Sequence, residues 1–321
     1  MSKVVLLAPT PPPIGGIAAW TVRMMNAKLP NNWMVEVVDE KIIGNREFFG
    51  DNKRLNIKNE LVRCIRIWRG LNKALNDPDA KVVHACIAAN TLPVIREYIC
   101  ACITKMRKRR FIIHFRCTVP NSVRNRVNLF FVKILCNKAD CIMLLNQKSV
   151  DYVSALSKTN TCLIPNFIES DEISHQRNIS EKIHRILYVG GVVENKGCLE
   201  VMELAKHFPE IEFKFVGNPE NNCVEKARSI PNVTLAGVMD HQAVKQEMLE
   251  ADVFIFLSYF RGEGFSNSLV EAMATGLPCI VSDWAANKDM IEGKGGIVVP
   301  IHGVDEAIEA IKEMHQYSVR K

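Results

Sequence analysis

Two carboxylates, Glu263 and Glu271, stand in the stretch Phe260-Arg261-Gly262-Glu263-Gly264-Phe265-Ser266-Asn267-Ser268-Leu269-Val270-Glu271. A strongly apolar run precedes it, so the stretch reads as strand, glycine-rich turn and helix, with the helix starting near Asn267. Helix starts expose unpaired N–H groups and a positive dipole end, which suit a phosphate or a hydroxyl-rich ligand. Glu263 falls in the turn and Glu271 inside the helix. Carboxylates so placed can accept hydrogen bonds from sugar hydroxyls at two points along one elongated ligand. The same spacing also describes an ordinary βα turn with a solvated Glu pair.

Other residues have chemistry of their own. Lys196 precedes Gly197 and opens a helix, where its point charge can reach a phosphate oxygen; it also reads as a surface lysine. His114 closes the run Phe111-Ile112-Ile113, and His84 closes Lys81-Val82-Val83. Neither has the Asp and Ser company of a hydrolytic triad, and each also reads as a hydrogen-bonded structural histidine. Gly15 and Gly16 follow three prolines and start a helix, but the pattern is not GxGxxG, and only the loosely spaced Asp39 is at hand for a dinucleotide ribose. The 11 cysteines are scattered without a CxxC pair and sit mostly in apolar runs, as Cys141 and Cys279 do. They read as reduced thiols, with neither a disulfide framework nor a zinc site expected.

The elements that must carry these residues alternate. Strands are expected at 4–8, 34–38, 82–86, 111–115, 141–145 and 162–164, then at 186–189, 212–216, 233–235, 253–257, 278–281 and 297–299. Helices are expected at 17–29, 55–75, 92–107 and 123–136, then at 197–208, 220–229, 241–250, 268–275 and 304–315. Apolar strands without polar alternation, separated by helices, indicate parallel sheets covered on both faces. The polar, aperiodic stretch 165–184 is the expected interdomain connection, dividing the chain into 1–165 and 166–321. Ligands of such sheets bind at the carboxyl ends of the strands.

Charge divides along the same line. Residues 1–165 hold 26 Lys and Arg against 11 Asp and Glu, a net of +15, whereas 166–321 hold 15 against 24, a net of −9. The basic half favours an anionic partner. Its basic run at 105–110 and the helix at 123–138, where Arg124, Arg126, Lys133 and Lys138 alternate with Val127, Phe130, Phe131, Ile134 and Leu135, suit an anionic membrane surface, and also suit a core helix with a solvated face. Nucleic acid is not expected, because Trp20, Trp33 and Trp68 are spread apart and no surface aromatics interleave with the charges. The opening Val4-Val5-Leu6-Leu7 is too short for a secretory apolar region, and Lys133 breaks the longest apolar stretch. The expectation is a cytoplasmic protein, with peripheral contact to the inner face of the membrane left open.

The Glu263 segment resembles the Glu-x7-Glu motif of family 4 glycosyltransferases, and it has company. Leu163-Ile164-Pro165-Asn166-Phe167-Ile168 resembles the turn that closes the first domain of that family. Ile186-Leu187-Tyr188-Val189-Gly190-Gly191, followed by Glu194-Asn195-Lys196-Gly197, resembles the opening of its second domain. Phe215-Val216-Gly217, Leu235-Ala236-Gly237, Pro278-Cys279-Ile280-Val281 and Pro13-Ile14-Gly15-Gly16-Ile17 are similar to further strand ends and the N-terminal glycine loop. The resemblance is strong over 160–300 and weaker but continuous before it. It implies an α/β GT-B fold: two Rossmann-like doubly wound parallel-sheet domains with a cleft between them, the first for the acceptor and the second for the donor.

The resemblance also implies roles. Glu263, His114 and Lys196 would be catalytic. Glu271 would hold the ribose, Glu263 and the amides of Gly264, Phe265 and Ser266 the donor sugar, and Leu269 the diphosphate through its main chain. Asn267, Gly191, Arg261, Gly217 and Val238 would complete the donor site, while Gly15 and Gly16 would cradle phosphate or acceptor. Where the family commonly has Arg or Lys after Gly190, this chain has Gly191, and Arg261 and Arg116 are the candidate replacements. Fixed donors and a helix N-terminus stabilise a leaving diphosphate without a metal, so neither metal nor cofactor is expected. The implied function is retaining transfer of a sugar from a UDP- or GDP-sugar to a lipid-linked or saccharide acceptor in surface polysaccharide synthesis. The alternative is a catalytically weak or inactive nucleotide-sugar or polysaccharide-binding module of the same fold.

Overall fold

The computed structural model describes residues 2–12, 15–43, 56–169, 173 and 182–319. Contacts divide the chain into two compact units, Met1–Pro165 and Asn166–Lys321. Most of the expected connection at 165–184 lies outside the described residues.

In the first unit, β1 (Lys3–Ala8), β2 (Met34–Asp39), β3 (Ala80–Ile87), β4 (Arg110–Phe115), β5 (Cys141–Leu144) and β6 (Thr161–Leu163) form one parallel sheet in the order β2-β1-β3-β4-β5-β6. Around it run α1 (Gly16–Asn26), α2 (Ile57–Ala74), α3 (Thr91–Met106), α4 (Val119–Ser122), α5 (Arg126–Lys138) and α6 (Gln147–Leu156). In the second unit, β7 (Arg185–Val189), β8 (Glu212–Val216), β9 (Val233–Gly237), β10 (Val253–Phe256), β11 (Cys279–Ser282) and β12 (Gly296–Val299) pair in parallel in the order β12-β11-β10-β7-β8-β9. Its helices are α7 (Cys198–His207), α8 (Asn221–Ala227), α9 (His241–Glu250), α10 (Asn267–Ala274), α11 (Asn287–Ile291) and α12 (Val304–Val319). No described helix is long and apolar enough to cross a membrane.

All twelve expected strands are present. Three helices were not anticipated. The four residues of α4 and five of α11 are too few to show periodicity. The ten of α6 place Val150, Val153 and Leu156 at helical spacing against the core, a stripe of only two turns that the sequence reading did not pick up; the helix starts where Asn146 Oδ1 accepts from the Ser149 N–H. The helix expected from 123 begins instead at Arg126, because the Asn125 side chain caps it by accepting from the Asn128 N–H.

The strands are buried as their composition requires: all four residues of β10 are buried, as are those of β11. Strand order reverses beside β1 in the first sheet and beside β7 in the second. At such a switch point, successive connections leave on opposite faces and open a crevice at the carboxyl ends of the strands.

The first unit also buries charge. Glu40, just beyond β2, accepts from Arg96 Nη2 at 2.8 Å, and Arg96 Nε donates to Glu97 at 2.7 Å. Arg63 Nε donates to the Glu40 main-chain oxygen at 2.8 Å. Burial first, and then the Glu97 charge, hold the Glu40 carboxyl well above its usual range, against the pull of Arg96. The protonated form of Glu40 is thereby favoured. A carboxyl with a raised native pKa contributes stability that is complete below its unfolded value of 4.5 and is lost as pH rises through the native value. Glu40→Gln, which needs no proton, should lose this contribution to the fall of the thermal midpoint with rising pH. A variant with the wild-type slope would rule it out.

Candidate functional site

In the second unit the motif residues gather at the switch point. β7 and β10 are neighbours, so the turns that leave their carboxyl ends, 190–197 and 257–266, lie side by side. Lys196 ends a single 3-10 turn, Glu194–Lys196, and its Nζ is ion-paired with Glu263 Oε2. The same carboxylate oxygen accepts from Ser258 Oγ at 3.3 Å. The ammonium also lies 4.9 Å from the centre of the Phe260 ring and 5.5 Å from that of Phe256, both within cation–π reach. Glu263 is thus an oriented, half-buried carboxylate rather than a solvated one.

The backbone is held as tightly. The buried Tyr188 hydroxyl donates to the Gly191 oxygen at 2.8 Å and lies 3.3 Å from that of Lys196, tying the two ends of the β7 turn. Trp284 Nε1 donates to the Phe260 oxygen at 2.7 Å, and Ser282 Oγ to the Ser258 oxygen at 2.5 Å. Sequence reasoning missed Ser258, Tyr188, Ser282 and Trp284. Tyr188 and Ser258 are continuous with apolar runs, and nothing local distinguishes a polar group at a strand end from one within a core. Gly217, at φ +147°, admits no side chain, because a Cβ would lie 1.8 Å from the Gly190 oxygen. Gly191 is different: a Cβ there would meet only Val193 Cγ1, at 4.0 Å.

After Glu263 the chain enters α10. Ser266 Oγ lies 3.5 Å from the Leu269 N–H as its cap, and Asn166 Nδ2 donates at 2.7 Å to both the Phe265 oxygen and Asn267 Oδ1. Gly264 and the Leu269 side chain are buried, Phe265 packs on the core, and Arg261 is exposed in the turn. Val238 is half-exposed just after β9. Glu271, inside α10, lines a pocket with Ile168, His241, Lys245 and Met248. The structure joins Glu263, Lys196 and the turn that carries Gly191.

The first unit assembles a second group. Gly15 is the N-cap of α1, which begins at Gly16, and the helix carries Trp20 edge-on against His84 and His114, at 5.6 and 5.5 Å between ring centres. Arg116 lies 4.8 Å over the Trp20 ring, and its Nη1 is 3.1 Å from His114 Nε2. His114 Nδ1 lies 3.3 Å from His84 Nε2. A guanidinium can only donate, so His114 Nε2 accepts and its Nδ1 carries the proton toward His84. His84, Cys86 and His114 also bring their ligand atoms within 4.8 Å of one another. They do not fit a metal centre, because a ligating histidine donates its outer N–H to an acceptor, whereas the partner here is Arg116. The sequence also contains the triplet Asp77-Pro78-Asp79, a spacing that the expectation of a metal-free reaction passed over. Asp77 there accepts from Lys3 Nζ at 2.6 Å and from the Asp79 N–H at 2.8 Å, which accounts for it structurally.

Residues 183–316 match the family described as "Glycosyl transferases group 1". A phosphatidyl-myo-inositol mannosyltransferase of Mycolicibacterium smegmatis is 28% identical over 134 residues, 39% of this chain and 34% of that protein. The chain thus spans about a third of the length of that relative. Sucrose-phosphate synthase from Thermosynechococcus elongatus superposes with a TM-score of 0.78 at 16% identity, over 99% of this chain and 92% of that one. Anabaena HepE in complex with UDP-glucose gives 0.71 at 13%, over 100% and 94%. The chain has the GT-B fold. His114 lies next to the last residue of β4, but His84 does not close its strand: β3 continues through Ala85 and Cys86 to Ile87, because those residues also pair with β4.

Burial, then the Arg116 charge, push His84 down to about 4 and His114 to about 2. A histidine with a depressed native pKa contributes stability present above its unfolded value of 6.5 and lost as pH falls toward the native value. The thermal midpoint of His84→Gln should accordingly fall less steeply than that of the wild type between pH 6.5 and about 4. Parallel curves would show that the ring is not held neutral.

Proposed function

We propose that this chain is a retaining, metal-independent family 4 glycosyltransferase that moves a sugar from a UDP- or GDP-sugar to a lipid-linked or saccharide acceptor, in the synthesis of a surface polysaccharide. The observation that carries the reading is the Lys196–Glu263 pair, fixed at the switch point beside the start of α10. Two comparisons support it: the group 1 match covers this site, and the similar HepE structure holds UDP-glucose.

The chemistry follows from the residues. Negative charge grows on the leaving diphosphate as its bond to the sugar breaks. Lys196, the N-terminus of α10 and the main chain near Leu269 stabilise that charge from fixed positions, where no reorganisation is needed during reaction. Glu263 and the amides of Gly264, Phe265 and Ser266 orient the sugar, and Glu271 takes the ribose. When the diphosphate engages Lys196, Glu263 is released to the sugar hydroxyls. In the first unit His114 acts as a neutral group, with its tautomer set by Arg116. Gly15 and Gly16 serve phosphate or acceptor. The basic first unit, at net +15, favours peripheral attachment to an anionic cytoplasmic membrane face.

Gly191 favours the second reading, a weak or inactive binding module, because it leaves the diphosphate one cation short of the family pattern. Of the two candidate replacements, we assign the role to Arg261, which is exposed in the turn beside Glu263, since Arg116 is committed to His114 and Trp20.

Three measurements test this. In a thermal-shift panel of UDP-, GDP- and ADP-sugars, a donor at 100 times its Kd should stabilise the protein by about 2.7 kcal/mol, and no response to any of them would reject the donor site. Donor hydrolysis should be detectable and should be lost in Glu271→Ala; absence of hydrolysis despite binding would favour the second reading. Gly191→Arg, for which the backbone has room, should fold normally and increase turnover about tenfold or more, on the scale of one charge–phosphate contact. Arg261→Ala should lose a comparable factor, and unchanged turnover would remove Arg261 as the substitute.

A further inference from the structure

Two thiols touch directly behind the Lys196 turn. Cys198 is the first residue of α7, Cys223 lies in α8, and their sulfurs are 3.0 Å apart. That is inside the ordinary contact of two sulfur atoms and about 1 Å longer than an S–S bond, roughly 2.05 Å. Both side chains are fully buried. The two thiols share one hydrogen bond in which either sulfur can be the donor. Either can therefore form the thiolate, the reactive species, while its neighbour holds the proton.

The neighbours of the pair are the donor-site turns. Gly197 separates Cys198 from Lys196. It has φ +76°, and its backbone is wedged so closely that a Cβ would lie 2.2 Å from the Leu257 oxygen. On the other side, the Cys223 N–H donates to the Glu220 oxygen, Glu220 N–H to Val192, and Val192 N–H to Asn218. The Cys223 helix is thus tied to the turn that carries Gly191. Any movement that closes the sulfurs acts on both turns, and the wedged Gly197 cannot absorb it.

We propose that Cys198 and Cys223 are a disulfide-forming pair, oxidised by a small hydroperoxide, and that closing the bond draws Lys196 away from Glu263 and weakens donor binding. The second half rests on the donor-site reading above; the first does not. The thiolate of one cysteine attacks the peroxide O–O bond, takes OH to become a sulfenic acid, and releases an alkoxide or hydroxide that is protonated. The thiol of the other then attacks the sulfenic sulfur; the S–S bond forms, the S–O bond breaks, and OH leaves with that thiol's proton as water. Two thiols and one hydroperoxide yield one disulfide, one water and one alcohol, or a second water from hydrogen peroxide. The sulfurs are oxidised and the peroxide oxygens reduced. Burial of both thiols selects a small oxidant over a bulky disulfide.

The test uses the full chain carrying Cys141→Ser, because the thiols of Cys141 and Cys162 lie 3.7 Å apart and offer a competing, more exposed pair. After hydrogen peroxide and alkylation, a non-reducing digest should contain the Cys198 peptide linked to the Cys223 peptide, reversibly with dithiothreitol. Amine-reactive labelling of Lys196 should rise several-fold on oxidation, and UDP-glucose affinity should fall about tenfold or more, as expected for a displacement near 1 Å. Both effects should be absent in Cys223→Ala and in Cys198→Ala, either of which serves if the other folds poorly. No linked peptide under conditions that oxidise other thiols overturns the pair. A linked peptide with unchanged Lys196 labelling overturns the displacement. UDP-glucose binding absent even in the reduced protein, with linkage and labelling as expected, faults the donor reading and leaves the thiol pair standing.

Discussion

Parallel pairing of β7 with β10 is the constraint on which the second unit depends. Parallel strands discharge their chains at the same edge of the sheet, so the residues after Val189 and those after Phe256 must share one rim. Because order reverses there, the two connections do not cover each other. Lys196 and Glu263, 67 positions apart in the chain, meet only for this reason. The pair is half-buried between two aromatic rings, where the solvent screening that weakens exposed ion pairs is reduced.

The rim is stiff, and that stiffness comes from side chains with no contact to a ligand in view. Tyr188 spans its turn from below, Trp284 and Ser282 hold the main chain of the Glu263 turn, and Gly217 lets the β8 turn press against Gly190. A preorganised site must have its dipoles in place before charge develops. The cost is intolerance: Gly190, Gly197 and Gly217 all have φ between +76° and +153°, where an L side chain is strained. The same closeness brings two thiols into contact behind the site.

The first unit solves a different problem. It buries two histidines, two glutamates and two arginines beneath a basic surface. Burial and the Arg116 charge bias the histidine pair toward its neutral form, and Arg96 serves two carboxyls. These hydrogen-bonded networks offset the cost of burying polar groups.

Local information determined the elements of this protein and pointed to its candidate site. Apolar runs without alternation marked all twelve strands, and Gly-rich turns ahead of helices marked the candidate site, because burial and backbone freedom act on neighbouring residues. Short helices such as α4, α6 and α11 escaped, since few turns leave little pattern. Only the tertiary structure decided which polar groups meet. It paired Lys196 with Glu263, brought Glu271 into a pocket with His241 and Lys245, set His114 in the middle of an Arg116–His114–His84 chain, and showed that Gly191 has room where Gly217 has none. Those facts depend on strand order and on distances between residues remote in sequence, and sheet order follows from how whole faces bury one another rather than from the run of residues within any one strand.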